Sequence, residues 1–392
     1  MLEESGTLTQ IIGETNSSKA FPMPKLNFGH DSFYFLSNST DYAISVGFEM
    51  AGCEPKFEIT YNNGNETKSF IFKPSHRGHG ALNEYLAYQV NMLFSFYRVP
   101  PVIPIQIPLS RINALLSKKS ISQNQKFLKC NMDFAPDEIQ DWIQVPAATA
   151  GIAVSDNWSA GTEMMVVGTL QLKVPGIAQR GEVVRFLDKT LTPPSDDNNS
   201  TEGLNSLYWW WRRSHSLLFP KAPSIFSQRE RDSRALFDYL IGNLDRFNND
   251  HVISLQSQSE TKIFFSEAQT TNGTNNNNIN NRLLVYIDHN LVENGVSAFD
   301  LKEWTENCRF YHTPVKRISS LLSHSIPSTT LLYVLNTNEL LRMWLTSQHG
   351  NVTIPRDQLF AVRYINRRAK RVMMRVNECI KLYGFDHVFV EH

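Results

Sequence analysis

Two short segments hold the side chains best suited to chemistry, Ile241-Gly-Asn-Leu-Asp-Arg-Phe-Asn-Asn-Asp250 and Leu283-Leu-Val-Tyr-Ile-Asp288. The first offers a carboxylate, Asp245, with a second oxygen ligand at Asp250. The second is a short apolar run that delivers Asp288 at its end. Phosphoryl transfer needs this combination: one carboxylate to take the acceptor's proton and two oxygen ligands to hold a divalent ion on the phosphates. Asp288 follows a run that reads as a strand buried on both faces, where a carboxylate is costly without a metal or hydrogen bonds. Asp245 follows Ala235-Leu-Phe-Asp-Tyr-Leu-Ile241, whose spacing suits a buried helix, and Gly242-Asn243 supply the turn that brings it onto a loop. The plainer reading of Asp245-Arg246 is a structural ion pair at a helix end.

A cation and a further carboxylate stand upstream. Phe57, Ile59 and Tyr61 alternate along one face, Asn62-Asn-Gly-Asn65 turns the chain, and Phe70-Ile-Phe-Lys73 returns it. This predicts a β-hairpin with Lys73 at the end of its second strand. Leu82, Leu86, Val90, Leu93 and Phe94 then recur at helical spacing and stop before Pro100-Pro101, with Glu84 near the start of that helix. Strand, lysine, helix, glutamate is the layout in which a lysine contacts nucleotide phosphates and a glutamate fixes the lysine. A surface lysine and a first-turn glutamate without that role fit the same pattern, which gains weight beside Asp245 and Asp288.

The elements around these residues are unevenly legible. Residues 1–35 are polar and aperiodic, an arm, and residues 110–160 read as a proline-punctuated insertion. Met164 to Val174 is an apolar strand ended by Pro175-Gly176. Pro193–Gly203 and the Asn/Thr-rich Gln269–Arg282 are low-complexity loops, the second lengthening a connection between two strands. At the C-terminus Ile365, Ala369, Val372, Met373, Val376 and Ile380 form an apolar stripe, and Arg363, Arg367, Arg368, Lys370, Arg371 and Arg375 are expected on the wet side.

Composition excludes other classes. The chain has 392 residues, 41% hydrophobic and 19% charged, with a formal net charge of zero. That argues against a dedicated nucleic-acid binder, and no apolar run is long enough for a transmembrane helix. There is no Gly-x-Ser-x-Gly, His-Glu-x-x-His, Walker loop or Gly-x-Gly-x-x-Gly, and Gly52 is the glycine before the first strand pair that could face a phosphate. The acidic start Met1-Leu-Glu-Glu-Ser lacks a signal core, so the chain is either cytosolic or a fragment missing its targeting segment. Glycosylation sequons such as those at Asn65 and Asn351 favour the second option. Cys53, Cys130, Cys308 and Cys379 show no Cys-x-x-Cys spacing, which disfavours zinc and permits disulfides without requiring them.

Phe237-Asp-Tyr-Leu-Ile-Gly-Asn-Leu-Asp-Arg246 resembles the catalytic segment of the secretory-pathway kinases typified by the Golgi casein kinase and the glycosaminoglycan xylosylkinase, with four-jointed more distant. Phe72-Lys73-Pro74 resembles the family's phosphate-lysine motif, and Asn83-Glu84 followed by Arg98-Val-Pro-Pro101 its glutamate helix and exit. Gly168-Thr-Leu-Gln-Leu-Lys-Val-Pro175 is similar to its hinge strand. Arg367-Arg368, Val372, Val376, Cys379 and Gly384 echo its last helix. The resemblance is discontinuous but in order from about Gly52 to the end. It implies an α+β, divergent two-lobed protein-kinase-like fold, with a β-rich N-lobe over 36–176 and a helical C-lobe over 177–392. It also implies ATP with Mn2+ or Mg2+, residence in the Golgi lumen or secretion, and a disulfide between Cys308 and Cys379.

In that frame Asp245 is the base, and Asp288 and Asp250 hold the metal. Lys73 and Glu84 serve the phosphates, and Gln171, Leu172, Lys173 and Val174 line the hinge whose backbone reads adenine. The chain departs from the family in the stretch between Lys73 and Glu84, which is much shorter than usual, and at four further places. His79 stands where a metal-binding glutamate is usual, Pro55 replaces a phosphate-loop glutamine, Phe247-Asn248 replaces a double histidine, and His289 follows Asp288 in place of asparagine. The acceptor is a glycan xylose hydroxyl or a secreted protein's serine. A pseudokinase that binds and activates a related kinase, as a homodimer or heterodimer, is the alternative. A cytosolic lipid-kinase-like enzyme and an interaction domain without nucleotide are the other rivals.

Overall fold

The computed structural model describes residues 43–49, 56–62, 67–74, 80–108, 165–174, 228–243, 250–254, 282–287, 301–322, 330, 333 and 356–389. Five strands form one antiparallel sheet: β1 (Ala43–Glu49), β2 (Lys56–Asn62), β3 (Thr67–Pro74), β4 (Val102–Pro108) and β5 (Met165–Leu172), in the order β1-β2-β3-β5-β4. The helix α1 (Gly80–Leu93) comes between β3 and β4 in the chain. The predicted hairpin is β2–β3, with Phe57 opposite Phe72 and Ile59 opposite Phe70.

Registry separates the two faces of this sheet. Directly opposed residues share a face, so Phe57, Phe72, Leu170 and Ile103 form one row of the apolar face. Phe57, Phe70, Phe72 and Leu170 on that face are fully buried. Lys73 and Thr169 oppose each other on the other face, beside the row Ile71, Gln171, Val102. Helix α1 packs against β3, β4 and β5, so buried polar side chains lie between sheet and helix.

The remaining described elements are α2 (Gln228–Ile241), β6 (Asp250–Ser254), β7 (Arg282–Tyr286), α3 (Leu301–Trp304), α4 (His312–Leu322), α5 (Arg356–Tyr383) and α6 (Phe385–Phe389). β6 and β7 pair antiparallel, from Asp250 opposite Tyr286 to Ser254 opposite Arg282. The low-complexity stretch therefore does extend a connection between two paired strands. One apolar cluster joins α1, α2, β7, α4, α5 and α6, through residues such as Val90, Phe96, Phe237, Tyr286, Ile318 and Val372. Leu284, Val285 and Tyr286 are each 1% exposed, so β7 is buried on both faces as its sequence suggests. No helix among the described residues is long and apolar enough to cross a membrane.

The C-terminal stripe packs inward as expected, but its polar side is not wholly wet. Arg367, Lys370 and Arg371 are exposed, whereas Arg368 and Arg375 are buried. Arg375 donates to the side chain and carbonyl of Thr305, at 3.0 and 2.9 Å. Buried backbone acceptors at the packing surface draw these two guanidinium groups in. Cys308 and Cys379 form a disulfide that ties the segment before α4 to α5 across 71 residues of sequence. The expected N-terminal arm, the 110–160 insertion, the Pro193–Gly203 loop, Cys53 and Cys130 lie outside the described residues.

Candidate functional site

The lysine at the end of β3 and the glutamate of α1 meet. Lys73 Nζ donates to Glu84 Oε1, with the two side chains 7% and 1% exposed. Gln171 Nε2 of β5 lies 3.4 Å from the second oxygen, Glu84 Oε2. The carboxylate thus takes an ammonium on one oxygen and an amide on the other. A buried pair of this kind is dearly desolvated and adds little net stability over an apolar filling. Its placement between sheet and helix is better understood as holding an amine in one orientation.

Backbone packing reinforces the lysine. Pro74 opposes Gly168 in the sheet, and a Cβ built on Gly168 would lie 2.2 Å from the Lys73 carbonyl and 2.7 Å from the Phe72 ring. Only glycine lets β5 approach β3 this closely.

Gln171, Leu172, Lys173 and Val174, expected to line the hinge, behave differently from one another. The Leu172 N–H donates to Pro101 O (3.0 Å) and the Lys173 N–H to Ser69 O (2.9 Å), so both serve the sheet. The Lys173 side chain pairs with Glu58 at 3.0 Å. Gln171 turns its side chain toward Glu84, a role that its sequence context did not suggest. Val174 is buried at the exit from β5.

The expected carboxylates belong to other elements: two of them follow α2 and β7 in the sequence, and the third opens β6. Helix α2 is buried from Ala235 to Ile241 and ends as predicted at Gly242, whose φ is 76°. The Asn243 N–H reaches Asp238 O (2.8 Å) and the Gly242 N–H reaches Tyr239 O (3.3 Å). These two bonds satisfy the final carbonyls and turn the chain out of the helix. Arg368 of α5 donates to Leu240 O at 3.3 Å, a cation at the negative end of α2. Burial lowers the Arg368 pKa to about 10, against smaller opposing effects of Tyr239 and Tyr364.

Asp245, two residues past this turn, and Asp288, two past the end of β7, lie outside the described residues. Asp250 opens β6 with its backbone opposite Tyr286, and its side chain is not described. β6 and β7 therefore bring the backbone of Asp250 to the end of the ribbon from which the chain runs on to Asp288. Among the described residues no three His, Cys, Asp or Glu side chains form a metal-binding group.

A second buried ionic cluster lies between the turn after α1 and α2. Arg98, fully buried after α1, pairs with Glu230 of α2, and the Tyr311 hydroxyl donates to the same Glu230 oxygen at 3.1 Å. Burial opposes the charge on Arg98, yet Glu230, Tyr311 and Tyr286 together leave its pKa raised. Burial, then the Glu230 charge, pushes the Tyr286 hydroxyl well up. Arg98 stands alone among apolar residues in Phe94-Ser-Phe-Tyr-Arg-Val-Pro-Pro101, the available signal. Its partner was hidden in the charge run Arg229-Glu-Arg-Asp232.

No protein-family model matches the chain, and no curated protein matches it. Among solved structures it is similar to the crystal structure of the Golgi casein kinase, at 16% identity and a TM-score of 0.44, covering 100% of this chain and 78% of that one.

Proposed function

We propose that the chain is an ATP-dependent phosphotransferase of the secretory pathway, acting on a glycan xylose hydroxyl or a protein serine. The observation that carries this reading is the buried Lys73–Glu84 pair joining the third strand to the helix that follows it, the arrangement a kinase needs to hold nucleotide phosphates. In this reading ATP lies between a strand-rich N-lobe over 36–176 and a helical C-lobe over 177–392. Lys73 contacts the phosphates, Glu84 fixes the lysine, and the backbone from Gln171 to Val174 borders the base.

Asp245 takes the proton of the acceptor hydroxyl. That oxygen bonds to the γ-phosphorus as the bond to the β–γ bridging oxygen breaks, and ADP leaves. Asp250 and Asp288 would hold Mn2+ or Mg2+, which neutralises charge on the phosphate oxygens when bound. The Cys308–Cys379 disulfide supports residence in the Golgi lumen or outside the cell, where such bonds persist.

A second reading, a pseudokinase that binds and activates a related kinase in a dimer, is favoured by His79 at the position of a usual metal ligand. The test is incubation of the purified chain with labelled ATP and manganese against casein and a xylose-bearing tetrasaccharide. Label should pass to one of them, and Asp245→Ala should lower the rate by about 10²–10⁴-fold. Nucleotide binding without transfer would favour the pseudokinase, and neither binding nor transfer would overturn both.

A further inference from the structure

The turn after α1 touches both groups of elements that the proposed site draws on. It leaves the helix through two left-handed non-glycine residues, Ser95 (φ 60°) and Tyr97 (φ 52°), a conformation that persists only where its surroundings enforce it. The Asn91 side-chain oxygen accepts from the N–H groups of Arg98 (2.7 Å) and Val99 (3.1 Å). The Arg98 guanidinium then crosses to Glu230 on α2 and lies 5.9 Å from the centre of the Tyr311 ring. The Arg98 carbonyl accepts from the N–H of Tyr286, the last residue of β7, at 3.0 Å.

One residue thus grips α2, which leads to Asp245, and β7, which leads to Asp288, from the turn that follows the Glu84 helix. Apolar side chains could fill this space at comparable stability, because a buried ion pair gains little net energy. What they would not supply is a fixed mutual geometry. Reacting groups displaced by about 1 Å can lose about 10²-fold in rate.

We infer that Arg98, clamped by Glu230 and Tyr311, is a positioning residue that fixes α1, the helix of Glu84, against α2 and β7, the elements from which the chain continues to the proposed base Asp245 and the proposed metal ligand Asp288. The inference rests on the phosphotransferase reading above. Its test compares wild type with the double variant Arg98→Met/Glu230→Met and with Glu230→Asp, which keeps the charge pair but shortens it by one methylene. Melting temperature, affinity for a fluorescent ATP analogue with manganese, and transfer kinetics are measured on each.

The double variant should melt near wild type and bind the analogue within about threefold, while kcat falls about tenfold or more. A folded double variant with wild-type kcat overturns the inference and leaves the phosphotransferase reading intact. If the double variant does not fold, Glu230→Asp decides. A lowered kcat at unchanged KM for ATP supports positioning, and an unchanged kcat overturns it. A wild type that transfers to neither acceptor sinks the functional reading and this inference with it.

Discussion

Lys73 and Glu84 were legible because strand alternation and helical spacing each place one of them, and the chain between them is short. Gln171 is expected for its backbone, as part of a hinge, and the sequence gives no hint that its side chain meets Glu84. Counting registry would have placed it opposite Ile71 and beside the row of Lys73, on the face that meets α1. Gly168 carries a signal of its own, because a glycine inside a strand marks close backbone approach. Because its missing Cβ leaves room for the Lys73 carbonyl, Gly168→Ala should destabilise the fold by about 1–3 kcal/mol through overpacking. The displaced lysine should also lower nucleotide affinity. Denaturant unfolding and analogue titration of the variant check the two effects separately, and wild-type values in both would remove Gly168 from the site's support.

At the scale of elements, β4 escaped the sequence because Pro104 and Pro108 interrupt Val102–Pro108. It lies at the edge of the sheet, the place where a strand tolerates residues that cannot donate to a ladder. Helix α2 was legible only in its apolar second half. Its first half is charged and shows no apolar spacing, yet Glu230, Asp232 and Ser233 are buried. There Asp232 accepts from the Arg309 N–H and Ser233 from the Tyr311 N–H, at 3.0 and 3.1 Å. Partners so distant in sequence leave no local trace.

The contact of α4 with α6 carries a pH dependence. The His312 ring lies 5.2 Å from Phe389 and 6.0 Å from Phe385. Burial, and secondarily the Lys316 charge, lowers its pKa from the ordinary 6.5. The unfolded chain then binds more protons than the folded chain between the lowered value and 6.5. This contribution is complete above about pH 6.5 and is lost as pH falls through the folded pKa. His312→Phe, which keeps a ring against both phenylalanines, should flatten the decline in melting temperature on acidification from about pH 7 to pH 5. A decline as steep as wild type would assign it to other groups.

Across the whole molecule, the disulfide and the buried arginines of α5 bind distant stretches of chain that local patterns cannot connect. The Cys308–Cys379 pairing was implied by resemblance, and four cysteines alone left it undecided. Replacing both by serine removes a constraint on the unfolded chain and should cost about 4 kcal/mol in the loop-entropy treatment. The denaturant midpoint with unchanged slope measures it, and a loss below about 1 kcal/mol would mean that the packing of α5 already holds the two segments together.

The β6–β7 ribbon has a practical corollary. Ser254 and Arg282 face each other across it, so residues 255–281 depart from and return to adjacent points. Closing such a span grows costlier by only about 0.6 kcal/mol for each doubling of its length. A reporter domain with neighbouring termini could be spliced there, giving a fluorescent handle for tracking the chain through a cell with both ends left untouched.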